Sequence, residues 1–295
     1  MTGMQQPAVV VGSDGSWESQ AAVRAATRLA ALHGESLVVV AVSRPHDSSL
    51  GGHRSAQDAA RGRGVATATQ AVELAHATDP TVSVEAVVLT DLEDPVLRSV
   101  AARASRLVVG GHGAGGQSAF SLGSVSEGLM RQIPRPVLVT ATSRGTRKLR
   151  TRTGAVPVPK VLVGFRPGTD PAHLLSLAAE EAVVRGVVLR VLTSVPGRGD
   201  VAEVQHAVWE AIRADATCAD VAAEVEVVRE PPEELLHGEP EETDLLVVGT
   251  RGGGTLAGLV RGSIARSVLD DPPCDVLVVP PSVLAVPTRS HASTG

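Results

Sequence analysis

Two kinds of apolar pattern alternate along the chain, and the alternation runs through twice. Short runs of Val, Leu and Ala, such as "AVVV" from Ala8 and "LVVVAV" from Leu37, are apolar without a break. Between them lie longer Ala- and Leu-rich stretches in which apolar residues return every three or four positions. The first kind predicts strands of a parallel sheet buried on both faces, the second amphipathic helices packed on that sheet. "AVVVGSDGSWESQAAVRAATRLAALHG" opens one series and "KVLVGFRPGTDPAHLLSLAAEEAVVRG" the other. Each reads as a strand, a polar glycine-containing turn and a helix closed by a glycine cap, Gly34 or Gly186. In the second copy Asp170 suits the N-cap and Pro171 the first helical position.

Both series continue alike. A second apolar run, "SLVVVAV" or "VVLRVL", precedes a helical segment at roughly 54–77 or 200–217. An alternating strand follows, "TVSVEAVVL" or "AAEVEVV", then a short helix opened by Asp94-Pro95 or carrying "PPEELL". The "LVVG" and "LLVVG" runs lead into glycine-rich loops, a helix from Ser124 or Ser263 and a last strand, "PVLVT" or "DVLVVP". The fold class expected is therefore α/β, with two tandem five-stranded parallel-sheet α/β sandwiches over residues 7–142 and 158–284. Residues 141–159 between them hold turn formers, Arg144, Arg147, Lys148, Arg150 and Arg152, and read as a solvated linker. The last strands are expected at sheet edges, where an apolar strand must be covered. Paired with each other, they would make the two halves an internal pseudo-two-fold dimer, and whole chains could associate further as homodimers.

Composition narrows the function. The chain has 295 residues, 43% of them hydrophobic and 1% aromatic, with a formal charge of −5. That balance argues against nucleic acid as a partner, which rewards basic grooves and stacking rings. No run approaches the roughly 20 apolar residues of a membrane span, and the start lacks a signal-peptide pattern, so a cytoplasmic protein is expected. Cys218 and Cys274 have no zinc or redox spacing and read as small buried residues. The nine His are scattered without metal spacing, and the acidic run Glu233, Glu234, Glu239, Glu241 and Glu242 reads as a solvated face.

The candidate chemistry lies in the glycine loops. Gly110, Gly113, Gly123 and Ser124 fit G-x2-G-x9-G-[ST], and so do Gly249, Gly252, Gly262 and Ser263, at an offset of 139. In an open parallel sheet, ligands bind beyond the carboxyl ends of the strands. Glycine admits a close ligand, and the next helix directs unpaired N–H groups and a positive dipole end at it. That combination suits a phosphate. There is no G-x4-G-K-[ST] lysine and no positioned nucleophile–base set, so no catalytic residue is assigned.

These residues, together with "VVVGSDGSWESQAA", "PRPVLVT" and "CDVLVVP", resemble the ATP-binding pattern of the universal stress protein family, in a tandem form. The resemblance implies an adenine nucleotide alpha hydrolase-like, Rossmann-like fold that binds ATP, ADP or AMP at the strand ends, with Mg2+ as an accompanying ion. It implies a regulatory stress-response role, with at most slow hydrolysis. Carried over, Gly12, Ser13 and Asp14 would face the adenosine, Val42 would pack on the base, and Gly110, Gly111, Gly113, Gly123, Ser124 and Val125 would hold the phosphates. In the second half Gly164, Val191, Gly249, Thr250, Gly252, Gly262, Ser263 and Ile264 would correspond. His112 and Arg251 would screen phosphate charge or face solvent. Arg166 stands where Asp14 should recur and cannot accept a hydrogen bond, which puts the second site in doubt; Phe165 beside it could stack on a base or fill the core. Three roles stay open: a nucleotide-binding regulator, a slow hydrolase or nucleotidyl transferase, and a scaffold that works through its surfaces.

Overall fold

A computed structural model describes residues 6–42, 53–90, 95–111, 124–141, 159–165, 172–195, 197–229, 236, 243–250, 263–270, 272 and 274–280. The first half runs β1 (Ala8–Ser13), α1 (Trp17–His33), β2 (Ser36–Val42), α2 (His53–Thr78), β3 (Val84–Leu89), α3 (Pro95–Arg103), β4 (Ala104–Gly110), α4 (Ser124–Gln132) and β5 (Val137–Thr140). The second runs β6 (Lys160–Phe165), α5 (Ala172–Arg185), β7 (Val188–Ser194), α6 (Val201–Ala214), β8 (Ala223–Val228), β9 (Thr243–Gly249), α7 (Ser263–Asp270) and β10 (Asp275–Val279). Residues 166–171 and 231–235, where Asp170-Pro171 and most of "PPEELL" fall, lie outside the described residues, as does the linker at 142–158.

All ten strands join one sheet, in the order β3-β2-β1-β4-β5-β10-β9-β6-β7-β8. Within each half every pairing is parallel. β1 is buried along its whole length, as an unbroken Val run under two helix layers should be. The outer strands β3 and β8 are only partly buried, and Glu85, Glu224 and Glu226 supply their polar positions. α1 faces the sheet with Ala22, Val23, Ala26, Leu29 and Ala30, and α5 with Leu174, Leu175, Ala178, Ala179 and Ala182. Alanine at the contact lets each helix lie close to the strands. Gly34 and Gly186 end the two helices at φ 63° and 66°, the left-handed cap that only glycine adopts without strain.

Ser105 and Asp244 hold matching places in β4 and β9. Each is the extra residue of a bulge inside its strand, opposite Ala8–Val9 and Lys160–Val161. Ser105 Oγ lies within hydrogen-bond reach of the Ala8 carbonyl, at 3.2 Å, and of the Glu35 carboxylate, and its single proton serves one of them at a time.

β5 and β10 pair antiparallel, with Val139 opposite Val276, Leu138 opposite Leu277 and Val137 opposite Val278. Leu138 and Leu277 are separated by the same 139 residues as the two glycine motifs. Equivalent residues thus face each other, and the pseudo-two-fold axis passes between these leucines. Glu181 of α5, 1% exposed, lies beside this seam. His33 Nε2 donates to its Oε1 at 3.1 Å, and Arg185 Nη2 to its Oε2 at 3.2 Å. Arg106 Nε, on β4, is 3.1 Å from Oε1, an ion pair by distance whose N–H direction makes no hydrogen bond. Arg106 also approaches Glu180 at 3.7 Å and Glu35 at 3.8 Å. Asp275, at the start of β10, accepts the Ala141 N–H at 2.9 Å.

Burial works to raise the pKa of all three acids. For Glu181 the His33 hydrogen bond and the charges of Arg106, His33 and Arg185 outweigh it, and the pKa is lowered. For Glu180 and Asp275 burial wins and the pKa is raised. The contribution of Glu181 is complete above the ordinary Glu value of about 4.3 and is lost as pH falls through its lower folded value. The other two acids are relieved, not weakened, as pH falls through their raised values. The urea midpoint is therefore expected to hold or rise slightly on mild acidification and to fall steeply only below about pH 4. Glu181→Leu, which strands Arg106 without its nearest carboxylate, is expected to cost about 3–5 kcal/mol at neutral pH and to flatten that acid limb.

Candidate functional site

Four segments meet at the carboxyl ends of the first half's strands: the β1–α1 turn, the end of β2, the end of β4 and the start of α4. Gly12 and Ser13 are the last residues of β1 and are buried. Asp14 follows and is exposed. Gly15 turns the chain at φ +85°, and a Cβ there would meet Thr67 of α2 at 3.4 Å. Ser16 caps α1: its Oγ accepts the Ser19 N–H at 3.2 Å, and Ser19 Oγ returns a bond to the Ser16 carbonyl at 2.9 Å. The Ser16 N–H donates to Asp14 Oδ1 at 3.0 Å. Burial alone would raise the Asp14 pKa, but the hydrogen bonds from Ser16 and Ser19 outweigh it and hold the carboxylate below its ordinary value. A charged, outward-facing acceptor therefore stands at the strand ends, with its orientation fixed by the turn. Ser16 lies outside the glycine pattern, and its signal in the sequence is a Ser at the start of an Ala-rich helix.

Gly110 is the last residue of β4 and Ser124 the first of α4; Gly249 is the last of β9 and Ser263 the first of α7. Both motifs thus start at a strand end and finish at a helix start. Val125 and Ile264 occupy the second helical position in each copy. His112, Gly113 and Gly123, like Arg251, Gly252 and Gly262, lie outside the described residues.

The described glycines have a reason that the sequence does not reveal. A Cβ on Gly110 would lie 2.8 Å from the Glu18 carbonyl oxygen, and one on Gly111 would lie 2.7 Å from the Thr140 carbonyl oxygen. Both positions are bare because the protein's own main chain passes there: α1 presses on the end of β4, and β5 runs alongside. Gly111 and Thr250, expected to hold phosphate, spend their N–H groups on the Thr140 and Val279 carbonyls at 3.2 and 3.1 Å. Each lengthens the sheet by one bond, so neither N–H is left for a ligand.

Val42 ends β2 and is partly buried against the face of the sheet that holds Val38 and Val40. Val191 is not its counterpart. It is fully buried on the opposite face, pairs with Val163, and lies three residues before the end of β7. Ser194 takes that place, eight residues past Gly186 as Val42 is past Gly34. Gly164, in β6, is backed by the buried Leu236, whose Cδ1 lies 3.1 Å from where a Cβ would be. Arg166 lies outside the described residues.

Cys218 is buried, and burial first, then the nearby Asp215 charge, pushes its thiol up to about 11. It is no nucleophile at neutral pH. Among the described residues no helix is long and apolar enough to cross a membrane.

An exposed ionised acceptor beside the first turns of two helices suits a molecule that carries hydroxyl donors at one end and anionic charge at the other. A nucleoside phosphate has both. Gly110→Ala is expected to destabilise the ligand-free chain by about 1–3 kcal/mol, because the methyl must displace the first turn of α1. Thermal unfolding without nucleotide checks this, and an unchanged transition would remove the packing role.

The family model described as "Universal stress protein family" matches residues 7–141 and again 157–280. Universal stress protein Rv2623 of Mycobacterium tuberculosis is 31% identical over 285 residues, spanning 88% of this chain and 92% of that protein. Universal stress protein Mb2028c of Mycobacterium bovis is 28% identical over 290 residues, spanning 90% and 94%. The crystal structure of a universal stress protein from Archaeoglobus fulgidus superposes with a TM-score of 0.70 at 20% identity, covering 93% of this chain and 98% of the other. A putative universal stress protein from Pseudomonas aeruginosa gives 0.54 at 20% identity, covering 96% of both. With two matches that together span most of its length, the chain belongs to the universal stress protein family in a tandem, two-copy form.

Proposed function

We propose that the protein is a cytoplasmic adenine-nucleotide-binding regulator, which holds ATP, ADP or AMP, with Mg2+ alongside where the phosphates need it, at the strand ends of its first half. The observation that carries this reading is the repeated geometry of the motif. In both copies the first glycine ends the fourth strand of its half and the serine opens the next helix. Gly113, Gly123, Ser124 and Val125 at the helix start would receive the phosphates, and His112 would lie beside them. Asp14 would accept ribose hydroxyls or the adenine amine, with Gly12 and Ser13 beneath it and Val42 against the base.

The second half is proposed to hold its anion more weakly. Gly252, Gly262, Ser263 and Ile264 repeat the cradle and Arg251 lies in the loop, but Arg166 replaces the acceptor. The protein is proposed to act by binding rather than by turnover. Asp14 is the carboxylate that follows β1, and its lowered pKa suits an acceptor better than a general base, which works best near neutral pH.

Titration calorimetry with ATP tests the reading. Gly113→Ala and Gly123→Ala are each expected to weaken binding by about tenfold, or about 1.4 kcal/mol, while Gly252→Ala and Gly262→Ala have smaller effects. Unchanged affinity in the first pair would put the phosphates elsewhere. ATP turnover that Asp14→Asn abolishes would instead favour the hydrolase reading.

A further inference from the structure

The seam between the halves is symmetric in its backbone and asymmetric in its chemistry. The described charged groups on the first half's side are Arg28 and His33 of α1, Glu35 before β2, and Arg106 of β4. Those on the second half's side are His173, Glu180, Glu181 and Arg185 of α5 and Asp275 of β10. Cations predominate on one side and carboxylates on the other. Counted from the shared caps Gly34 and Gly186, the positions that match Glu180 and Glu181 are Arg28 and Leu29. Counted by the 139-residue offset, Arg106 matches Leu245.

The main chain carries a second, independent asymmetry. Ala141 has an N–H, which Asp275 accepts at 2.9 Å. The symmetry-related places hold Pro280, which has no N–H, and Pro136, which has no carboxylate.

We propose that this seam selects unlike halves: a first half fits a second half and rejects another first half, and a second half likewise rejects its own kind. Two first halves would bring Arg106 of each against Arg28 and Leu29 of the other, and would set the Ala141 N–H against Pro136. Two second halves would gather Glu180, Glu181 and Asp275 from both sides around two Arg185 side chains, and would leave each half-buried Asp275 facing Pro280, with no donor. The β5–β10 backbone ladder alone permits all three pairings. Charge and the single capped N–H reject two of them, and rejection of wrong partners is how an otherwise self-complementary edge acquires specificity. The partner this surface fits is therefore the complementary half, in the same chain or in a second copy of it.

The test uses the folded full chain with a protease site placed between residues 141 and 159. Isotopically heavy and light preparations are nicked, mixed and followed by native mass spectrometry, which separates unlike from like pairs. The nicked wild type is expected to remain as first-half/second-half pairs only. The double variant Glu181→Gln, Asp275→Asn is expected to show at least about a tenfold larger share of like pairs. Arg106→Gln approaches the same contact from the first half and is expected to move in the same direction. Like pairs at the statistical proportion in the wild type would overturn the proposal. So would a double variant and an Arg106→Gln protein with no more like pairs than the wild type.

Discussion

A parallel sheet built from apolar strands cannot end in water on its best strand. β5 is buried and made of Val, Leu, Val and Thr, and with β4 on one side it still has a full row of backbone groups on the other. The same holds for β10 beside β9. Each edge satisfies the other, and the requirement propagates outward. It sets α1 against α5, places Arg106 and His33 over Glu181, and makes two sheets into one of ten strands. The buried carboxylate is tolerable only because two arginines and the His33 N–H converge on it, since burial alone would drive it neutral.

Much of the fold was legible along the chain. Unbroken Val runs read as strands buried on two faces because β1, β2, β4 and their counterparts lie in the sheet interior. The alternating runs were legible as strands, and they became β3 and β8 at the two ends of the sheet, where their polar positions meet solvent. The glycine caps were readable because Gly34 and Gly186 need a left-handed φ. What could not be read was pairwise. Only Arg185, one turn along α5, is a local partner of Glu181; His33 and Arg106 stand far from it in sequence, in the other half, so its burial could not be read locally. The bulges at Ser105 and Asp244 depend on register against β1 and β6, which no single segment contains.

The glycine pattern was legible in the sequence and its cause was not, for a related reason. Glycine at a strand end signals that something approaches the main chain closely, but not what. At Gly110 and Gly111 the visitor is the protein itself, through Glu18 and Thr140. Val191 matches Val42 in residue type but not in place along its strand. On a pleated strand a shift of three positions also moves a side chain to the other face, so counting from the cap finds Ser194 where chemical likeness does not.

The antiparallel join has one further effect. Because β5 and β10 run in opposite directions, the strand termini of the two halves open at opposite rims of the shared sheet. The strand ends proposed to receive nucleotide therefore lie at opposite rims and not side by side. Any influence of an occupant at one rim on the other must travel through the protein, and the ionic seam lies on the way.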